Sequence, residues 1–387
     1  MEKCVITAES VRRGHPDKFC DQIADRILDA HLTQDPNARV AVEVFATAGK
    51  IMVAGEVRSF AKVNCEKIIW ELIGEIGYQK TDLCTDMDCP LKLDIRIHEQ
   101  SSDISYAVDG GSEQGAGDQG IMVGYATNET LEFLPLPVVL AHALCRRMDQ
   151  MAKTAGWMGA DGKAQVSLVY ESNYPKEASA IVVSVQHAAD KPQSEIRSSI
   201  MRSIIEQAIP AELLTDNTEI LINPSGKFVL GGPVADTGLT GRKLAVDQYG
   251  PAARMGGGGL SGKDASKVDR SGAYAARWIA KNIVASGLAK RCEVQIAYAI
   301  GRANPVSIAV DTFHTGTLPD SKLALAVQRT FDLRPGSITQ QLQLQKPLYS
   351  PLAAYGHYGR IDVLLPWECI NKKDELLCAA QKLAPLS

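Results

Sequence analysis

The pattern of apolar and polar positions predicts short strands and amphipathic helices that alternate along the chain. Residues 3–8 form a short strand candidate, and Phe19, Ile23 and Ile27 then recur at helical spacing to about residue 33. Strands are predicted at 39–46 and 50–58, joined by a hairpin turn at Ala48-Gly49, and residues 61–76 form an amphipathic helix. The first predicted unit is therefore a helix, a hairpin and a helix.

The same unit is predicted twice more further along the chain. The second copy comprises a helix at 137–155, strands at 165–170 and 180–187, and a helix at 193–208; the third comprises a helix at 270–286, strands at 293–299 and 306–311, and a helix at 321–331. A supersecondary unit repeated at a fixed period indicates triplication. We therefore predict an α+β fold of three similar lobes with pseudo-threefold symmetry, each a small mixed or antiparallel sheet with helices on one face.

The predicted units also suggest boundaries for the lobes. We expect an N-terminal lobe at 1–100, a central lobe at 115–231 and a C-terminal lobe at 232–387, with some strands exchanged between lobes. Residues 101–114 are polar, contain glycine and have few large aliphatic side chains, which is typical of a mobile active-site loop or of a plain linker. We predict the active-site loop.

Composition excludes several classes of protein. The chain has 387 residues, 45% of them hydrophobic and 22% charged, with a net charge of −4. This composition is typical of a globular protein and gives no general reason to expect a nucleic-acid or membrane partner. The first ten residues lack the pattern of a signal peptide, and no apolar stretch is long enough to span a bilayer. Nine scattered cysteines predict reduced thiols and a cytoplasmic location.

Glycines, lysines and aspartates are concentrated between residues 255 and 270. Four consecutive glycines at 256–259 leave the backbone free to approach an anion, and Lys263 and Lys267 follow them with Asp264 and Asp269. The two lysines share one face if this segment is helical. A Walker A loop would need serine or threonine where Asp264 stands, so an ordinary P-loop is disfavoured, as is a flexible linker. The segment predicts a site for phosphate and magnesium.

A second concentration of glycines and cations lies at 223–243. It ends on Arg242 and Lys243, which lead into the apolar run 244–246, a predicted strand. Structural turns alone are the alternative explanation for these glycines.

Five unusual segments carry a resemblance to a known family. They are GHPDK at 14–18, GAGDQG at 115–120, GLTGRK at 238–243, GGGGLSGKD at 256–264 and AAYGHYGR at 353–360. Together they resemble the S-adenosylmethionine synthetase (methionine adenosyltransferase) family, in the family's order and over essentially the whole chain. The resemblance implies an enzyme in which the methionine sulfur attacks the 5′ carbon of ATP and displaces triphosphate, which is then cleaved to pyrophosphate and phosphate.

The resemblance also implies cofactors, partners and residue roles. It implies magnesium, with two ions per site, and potassium, in a homodimer with shared active sites that pairs into a homotetramer. The implied catalytic residues are His15, Lys163, Arg242 and Lys263. The implied ATP-binding set adds Asp161, Lys227, Phe228, Asp236, Lys243 and Gly259 to these four. The implied methionine-binding residues are Glu56, Gln100, Asp118, Asp236 and Lys267; Asp17 and Asp269 are the implied magnesium ligands and Glu43 the potassium ligand.

Structural explanations remain open for many of these residues. His15, Asp17 and Asp269 suit helix starts, Phe228 suits core packing, and solvated surface positions are the alternative for Lys163, Glu43, Glu56 and Gln100. A non-catalytic nucleotide-binding paralogue that acts as a partner subunit is the alternative function.

The chain also departs from the family pattern. Arg12-Arg13 stand where a small residue and a glutamate are usual, and Met255, Gly259 and Leu260 replace histidine, alanine and phenylalanine. Because the two arginines immediately precede the GHPDK segment, we expect them near the phosphate pocket; a solvated pair that points away is the alternative.

Overall fold

The computed structural model describes residues 3–86, 88, 90–99 and 115–384. Its strands are β1 (Lys3–Val11), β2 (Arg39–Thr47), β3 (Lys50–Arg58), β4 (Lys92–Glu99), β5 (Gly120–Thr127), β6 (Met158–Glu171), β7 (Tyr174–His187), β8 (Glu219–Ile222), β9 (Gly238–Leu239), β10 (Arg291–Tyr298) and β11 (Ser307–Asp311). Its α-helices are α1 (Pro16–Gln34), α2 (Cys65–Ile76), α3 (Lys80–Leu83), α4 (Leu136–Ala152), α5 (Gln193–Ile200), α6 (Glu206–Ala208), α7 (Gly232–Ala235), α8 (Leu244–Asp247), α9 (Val268–Ala285), α10 (Asp320–Thr330), α11 (Pro335–Gln341) and α12 (Lys373–Gln381).

Three sheets contain the described strands, with the orders β1-β6-β7-β8, β4-β3-β2-β9 and β11-β10-β5. Each sheet contains one of the three predicted hairpins, and each hairpin lies between helices in the chain, so the α+β fold of three lobes is confirmed. Each sheet also takes a strand from elsewhere in the chain, because β1 pairs with β6, β5 with β10, and β9 with β2. These long-range pairings bind the three lobes to one another.

The alternation along β2 shows how each sheet is divided between core and surface. Val40, Val42 and Val44 are buried beneath the helices, whereas Glu43, between Val42 and Val44, is exposed on the other face of the sheet. Two apolar cores result. The larger includes α1, α9 and the sheets of β2 and β10, and the smaller lies between the sheet of β6 and helices α4 and α5.

Several predicted elements differ from those observed. Residues 244–246 form part of helix α8 instead of a strand, because the N–H of Asp247 bonds to the Lys243 carbonyl (2.9 Å) and the Asp247 carboxylate reaches buried Lys18. Helix α2 begins later than predicted because Asn64 caps it, accepting the N–H of Lys67 (3.0 Å).

Other differences concern continuity and omissions. The predicted helix at 193–208 is interrupted by a π-helical segment, Met201–Ile205. Residues 263–267 precede the start of α9, so Lys263 and Lys267 do not share a helical face. Strands β4, β5, β8 and β9 were not predicted. Among the described residues, no helix combines the length and the apolar character needed to cross a bilayer.

Candidate active site

The turn from β1 into α1 holds two of the predicted site residues. His15 caps α1, its Nδ1 accepting the N–H of Asp17 (3.2 Å), and Pro16 occupies the first turn. The Asp17 carboxylate accepts the N–H of Leu239 (3.0 Å) and an N–H of the Lys243 ammonium (2.5 Å). The helix-capping explanation for His15 therefore holds, but the same turn also meets the GLTGRK segment.

Burial and nearby cations set the charge of these two groups. The pKa of His15 is lowered to about 3, mainly by burial and then by Lys243 and Lys163, while Asp17 opposes the shift. The imidazole is therefore neutral at physiological pH. Burial alone would raise the pKa of Asp17, but the bonds from Lys243 and the Leu239 N–H outweigh it, and the net shift is downward. Asp17 therefore stays ionised.

Glycines allow the motif segments to approach one another at backbone distance. A Cβ at Gly238 would lie 2.2 Å from the carbonyl oxygen of Pro16, and a Cβ at Gly259 would lie 3.0 Å from the Cα of Gly241. Side chains at these positions would push the segments apart. The GHPDK, GLTGRK and GGGGLSGKD segments therefore form one interlocked unit.

The glycine-rich segment is fixed against strand β2. The N–H of Val42 bonds to the Gly262 carbonyl (3.1 Å), and the N–H of Asp264 bonds to the Val40 carbonyl (3.0 Å). Lys263 lies between these bonds, opposite Ala41. These bonds place Lys263 beside strand β2, which carries Glu43.

Asp269 joins the glycines to the first turn of α9. Its Oδ2 accepts from the Lys263 ammonium (2.7 Å) and its Oδ1 accepts the Gly258 N–H (3.1 Å). Each predicted magnesium ligand is thus paired with a predicted triphosphate-binding lysine, Asp17 with Lys243 and Asp269 with Lys263. Arg242 is half-exposed beside the first pair, its Nε 3.7 Å from Asp17 Oδ1.

A row of aspartates on α1, which sequence reasoning missed, supports this arrangement. Asp21 accepts the N–H of Gly241 (2.9 Å), and Asp25 accepts the N–H of Gly262 (2.9 Å). Asp29, one turn further on, accepts the N–H groups of residues 349 and 350. The signal was present in the sequence, because these aspartates and Asp17 recur every four residues along a helix that is mostly buried.

The remaining predicted ATP residues lie in or beside the central lobe. Lys163 is exposed on β6, directly opposite Val11 of β1. Asp161 is buried, which raises its pKa to about 6, and its oxygens accept the N–H groups of Gly162 (2.7 Å) and Gly232 (3.0 Å). Its observed role is to hold the chain at Gly232, and a contact with ATP stays a prediction.

Phe228 lies beside the C-terminal end of β7, where its carbonyl accepts the N–H of His187 (2.9 Å). The backbone N–H of Phe228 bonds to the His187 ring (3.1 Å), and its side chain is half-buried, so neither stacking nor packing is decided. Lys227 and Asp236 are exposed.

The predicted methionine residues are spread over several elements. Glu56 lies opposite Ala41 in the β2–β3 pair, on the same face as Lys263, with its Oε1 3.7 Å from the His98 ring. Asp118 is exposed just before β5. The start of β5 lies near Asp269, because a Cβ at Gly120 would lie 3.9 Å from Asp269 Oδ1.

The other two methionine assignments have different outcomes. The Lys267 ammonium donates to Asp264 (2.5 Å). Gln100 and the predicted loop 101–114 lie outside the described residues. Within the described ranges, no group of three or more histidine, cysteine or acidic side chains is arranged to hold a metal ion.

Comparison with known families gives matches to three successive parts of the chain. The family models described as the S-adenosylmethionine synthetase N-terminal, central and C-terminal domains match residues 3–102, 113–228 and 230–369. The chain belongs to the S-adenosylmethionine synthetase family. Its curated relatives include an S-adenosylmethionine synthase of Clostridium botulinum, 49% identical over 97% of this chain and 99% of the relative.

Two further relatives carry the same name. One from Clostridium tetani is 48% identical over 96% of this chain and 98% of its own, and one from Desulforudis audaxviator is 48% identical over 98% and 99%. The chain therefore matches these S-adenosylmethionine synthases over nearly their whole length.

The departures from the S-adenosylmethionine synthetase pattern have different structural consequences. Leu260 is fully buried, and Met255 is half-exposed. The expectation that Arg12 and Arg13 lie near the phosphate pocket stays a prediction, and both guanidinium groups have protein partners. The Arg12 guanidinium is buried against Asp149 (2.7 Å), and that of Arg13 donates to Gln22 (2.8 Å) and Glu75 (3.4 Å). The alternative of a solvated pair is wrong for Arg12, which is 1% exposed.

Proposed function

We propose that this chain synthesises S-adenosyl-L-methionine from ATP and L-methionine. The methionine sulfur attacks the 5′ carbon of ATP, the carbon–oxygen bond to the triphosphate breaks, and the triphosphate is then hydrolysed to pyrophosphate and phosphate. The observation that carries the proposal is that the pair Asp17–Lys243, beside His15, and the pair Asp269–Lys263 lie on segments that meet where Gly259 approaches Gly241.

The arrangement suits displacement at carbon, which requires no protein nucleophile. The sulfur has to be held in line with the departing oxygen, and the negative charge that grows on the triphosphate has to be stabilised. Lys163, Lys243 and Lys263 act as point charges on phosphate oxygens, while the guanidinium of Arg242 forks across two of them. Gly259, Lys227, Phe228, Asp161 and Asp236 complete the proposed ATP site.

His15 has the character needed beside the departing oxygen. Its pKa of about 3 keeps the imidazole neutral, and its Nδ1 is occupied as an acceptor by the N–H of Asp17. In that arrangement the proton lies on Nε2, which is therefore available to donate a hydrogen bond. We assign this hydrogen bond to the bridging oxygen of the leaving triphosphate.

We propose that Asp17 and Asp269 hold two magnesium ions together with phosphate oxygens. Both offer hard carboxylate oxygens of the kind that magnesium prefers, and two carboxylates with phosphates form its usual ligand set. Magnesium supplies neutralisation of the triphosphate charge when it is bound. Each aspartate pairs with a lysine, and each carboxylate would hold a magnesium ion once its lysine binds phosphate.

Potassium is assigned to Glu43, on the exposed face of β2. Burial raises the pKa of this carboxyl, Lys263 lowers it, and Asp21 raises it. A cation at Glu43 therefore lies within electrostatic range of the proposed triphosphate site.

The methionine zwitterion needs an anion for its ammonium group and a cation for its carboxylate. Glu56, Asp118 and Asp236 supply the carboxylates and Lys267 the cation, with Gln100 as an uncharged partner. Several of these groups are exposed on one subunit, which favours a homodimer with shared active sites that pairs into a homotetramer. Exposed Phe45 and Leu239, paired on β2 and β9, offer apolar surface for such an interface.

The proposal extends to the lobes and to the location of the enzyme. The lobes are 1–100, 115–231 and 232–387, with 101–114 as the active-site loop. The cytoplasm is proposed because eight cysteines within the described ranges are free thiols.

The deciding experiment mixes the purified protein with ATP, methionine, magnesium and potassium. We expect S-adenosylmethionine, pyrophosphate and phosphate in equal amounts, measured by chromatography and a phosphate assay. Binding of ATP without formation of S-adenosylmethionine would instead support a non-catalytic paralogue.

A further inference from the structure

A groove on the outer surface has an excess of positive charge. It has a volume of about 430 Å³ and lies between α1, α4 and the segment 350–362. Two acidic side chains, Asp149 and Asp362, line it. Five cationic side chains line it as well: Arg13, Arg26, Arg146, Lys153 and Arg360.

The nearby carboxylates do not balance these cations. Arg13 and Arg26 share one partner, Glu75, with distances of 3.4 and 2.9 Å. Buried Arg12 bonds to Asp149 Oδ1 (2.7 Å), and its guanidinium also donates to the carbonyl oxygens of Gly159 (2.6 Å) and Asp161 (3.1 Å).

At the other end of the groove, one carboxylate again serves two arginines. Arg360 binds both oxygens of Asp362 at 2.7 Å, whereas Arg146 approaches the same carboxylate only to 3.9 Å. Glu75, Asp149 and Asp362 are therefore shared among five arginines, and Arg146 approaches its carboxylate least closely.

Arg146 has further features of a binding group. Its Nε is buried without a hydrogen-bond partner, and its guanidinium lies 5.2 Å from the centre of the Tyr355 ring. Burial lowers the pKa of Arg146, and Arg360 beside it lowers the pKa further. The ring borders the guanidinium, while the Nε donor stays unpaired and the charge is only partly compensated by Asp362.

We propose that this groove is a second anion-binding site, separate from the active site, for an anion that carries at least two phosphate charges. Guanidinium groups offer planar pairs of donors that match phosphate oxygens, and Arg13, Arg26 and Arg146 present them around one cavity. The ligand is either a free pyrophosphate or polyphosphate, or the phosphates of a nucleotide.

The test counts pyrophosphate sites by isothermal titration calorimetry of the full-length protein in metal-free buffer. We expect two sites per wild-type chain. The double variant Arg146→Gln/Lys153→Gln should lose the groove site, and Lys163→Ala/Lys263→Ala should lose or weaken the active-site one. The matched control Lys322→Gln/Arg329→Gln removes two exposed cations from α10 and should keep both. Circular dichroism and thermal unfolding check that each variant is folded.

The outcomes separate this proposal from the proposed function. Equal numbers of sites in the wild type and in folded Arg146→Gln/Lys153→Gln would overturn the groove site, whatever the active-site variant does. A single wild-type site that disappears only in Lys163→Ala/Lys263→Ala would overturn it as well. A single site lost only in the groove variant would support the groove site and would leave the active-site assignment standing, because the active site as proposed binds phosphate together with magnesium, which this buffer lacks.

A competition experiment distinguishes the two sources of phosphate. In the Lys163→Ala/Lys263→Ala background, ADP is titrated against bound pyrophosphate. Unlabelled pyrophosphate is titrated against the same bound, labelled pyrophosphate for comparison. If ADP displaces the label at a lower concentration than unlabelled pyrophosphate does, the groove is a nucleotide site. If ADP needs a higher concentration, the groove is a site for free polyphosphate. If neither compound binds in this background, the groove is not an anion site.

Discussion

Asp25 and Arg270 form a buried bidentate ion pair, with distances of 2.6 and 2.9 Å, although 245 positions separate them in the chain. Asp25 Oδ1, which binds Arg270 at 2.6 Å, also accepts the N–H of Gly262. The Arg270 guanidinium also donates to the Lys263 carbonyl (3.2 Å). Arg270 also lies over the Tyr349 ring at 4.2 Å. The pair therefore attaches the glycine-rich segment to α1 and positions Lys263.

Replacing Asp25 by asparagine should destabilise the protein strongly. The change leaves the Arg270 guanidinium buried without a counter-charge, and removing one partner of such a pair typically costs about 3–5 kcal/mol. Denaturant unfolding should show this loss in the free energy of unfolding. Glu71→Gln, which breaks an exposed pair with Lys67 on α2, is the control and should cost less than about 1 kcal/mol. If both variants lose the same free energy of unfolding, the Asp25–Arg270 ion pair contributes no more to stability than an exposed ion pair.

Lys263→Ala and Lys163→Ala should each lower turnover far more than they weaken methionine binding. Both ammonium groups are assigned to charge that develops on the leaving triphosphate, and loss of one such interaction typically lowers kcat about 10²–10³-fold. Steady-state kinetics with varied methionine measure both effects. Lys322→Ala, an exposed lysine on α10, serves as the control. If either site variant keeps the control's kcat, that lysine does not contact the triphosphate in the transition state.

The sequence predicted the three hairpins because their apolar periodicity is local. Strands 39–46 and 50–58 were found almost to the residue, since β2 and β3 alternate clearly and a glycine turn joins them. Strand β9 has two residues and is held by pairing with β2, about 190 positions earlier in the chain, and by the Asp17 carboxylate, so no local pattern indicates it. The run 244–246 is a short apolar segment, and such segments do not distinguish a strand from a helix. Here the segment is helical, with Asp247 buried beside Lys18 at its end.

The residues of the candidate site were predicted from motifs, whereas the residues that hold these motifs in place were seen only in the structure. Motif matching identified His15 and Asp17 but could not show that Asp21 and Asp25 hold Gly241 and Gly262 in place. It also placed Arg13 near the phosphates on sequence proximity alone. In the structure the Arg13 guanidinium reaches Gln22 (2.8 Å) and Glu75 (3.4 Å), two contacts that sequence proximity to His15 does not indicate.

Activity should depend on magnesium and be raised by potassium. A chelator is expected to abolish turnover and added magnesium to restore it, because Asp17 and Asp269 are assigned to the metal with the triphosphate. Asp269→Asn should raise the magnesium concentration for half-maximal activity at least about tenfold. Full turnover with chelator present would contradict the metal assignment.

The potassium assignment has a separate test. Glu43→Gln removes the carboxylate charge on the exposed face of β2 while it keeps the side-chain shape. We expect the variant to retain basal activity in potassium-free buffer and to lose most of the stimulation by potassium. Stimulation equal to that of the wild type would place the ion elsewhere.

Stability should fall as the pH is lowered from about 6.5, in part because of a histidine outside the active site. His142 is buried on α4, where burial lowers its pKa to about 3, with Arg146 and Arg360 adding to the shift. Its Nδ1 bonds to the Ser10 hydroxyl (2.8 Å), and its Nε2 has no partner. The folded protein therefore holds the neutral imidazole at any pH above about 3.

The sign follows from proton binding. Between about 3 and the ordinary histidine value of 6.5, the unfolded chain binds a proton at residue 142 and the folded chain does not. Lowering the pH through this window therefore favours unfolding. His142→Gln should flatten the slope of unfolding free energy against pH by about 1.4 kcal/mol per pH unit between pH 6 and 4.5. Above pH 7 both proteins should have the same slope, which serves as the internal control. Denaturant unfolding across the range measures it, and identical slopes below pH 6 would show that His142 accepts a proton in the folded state.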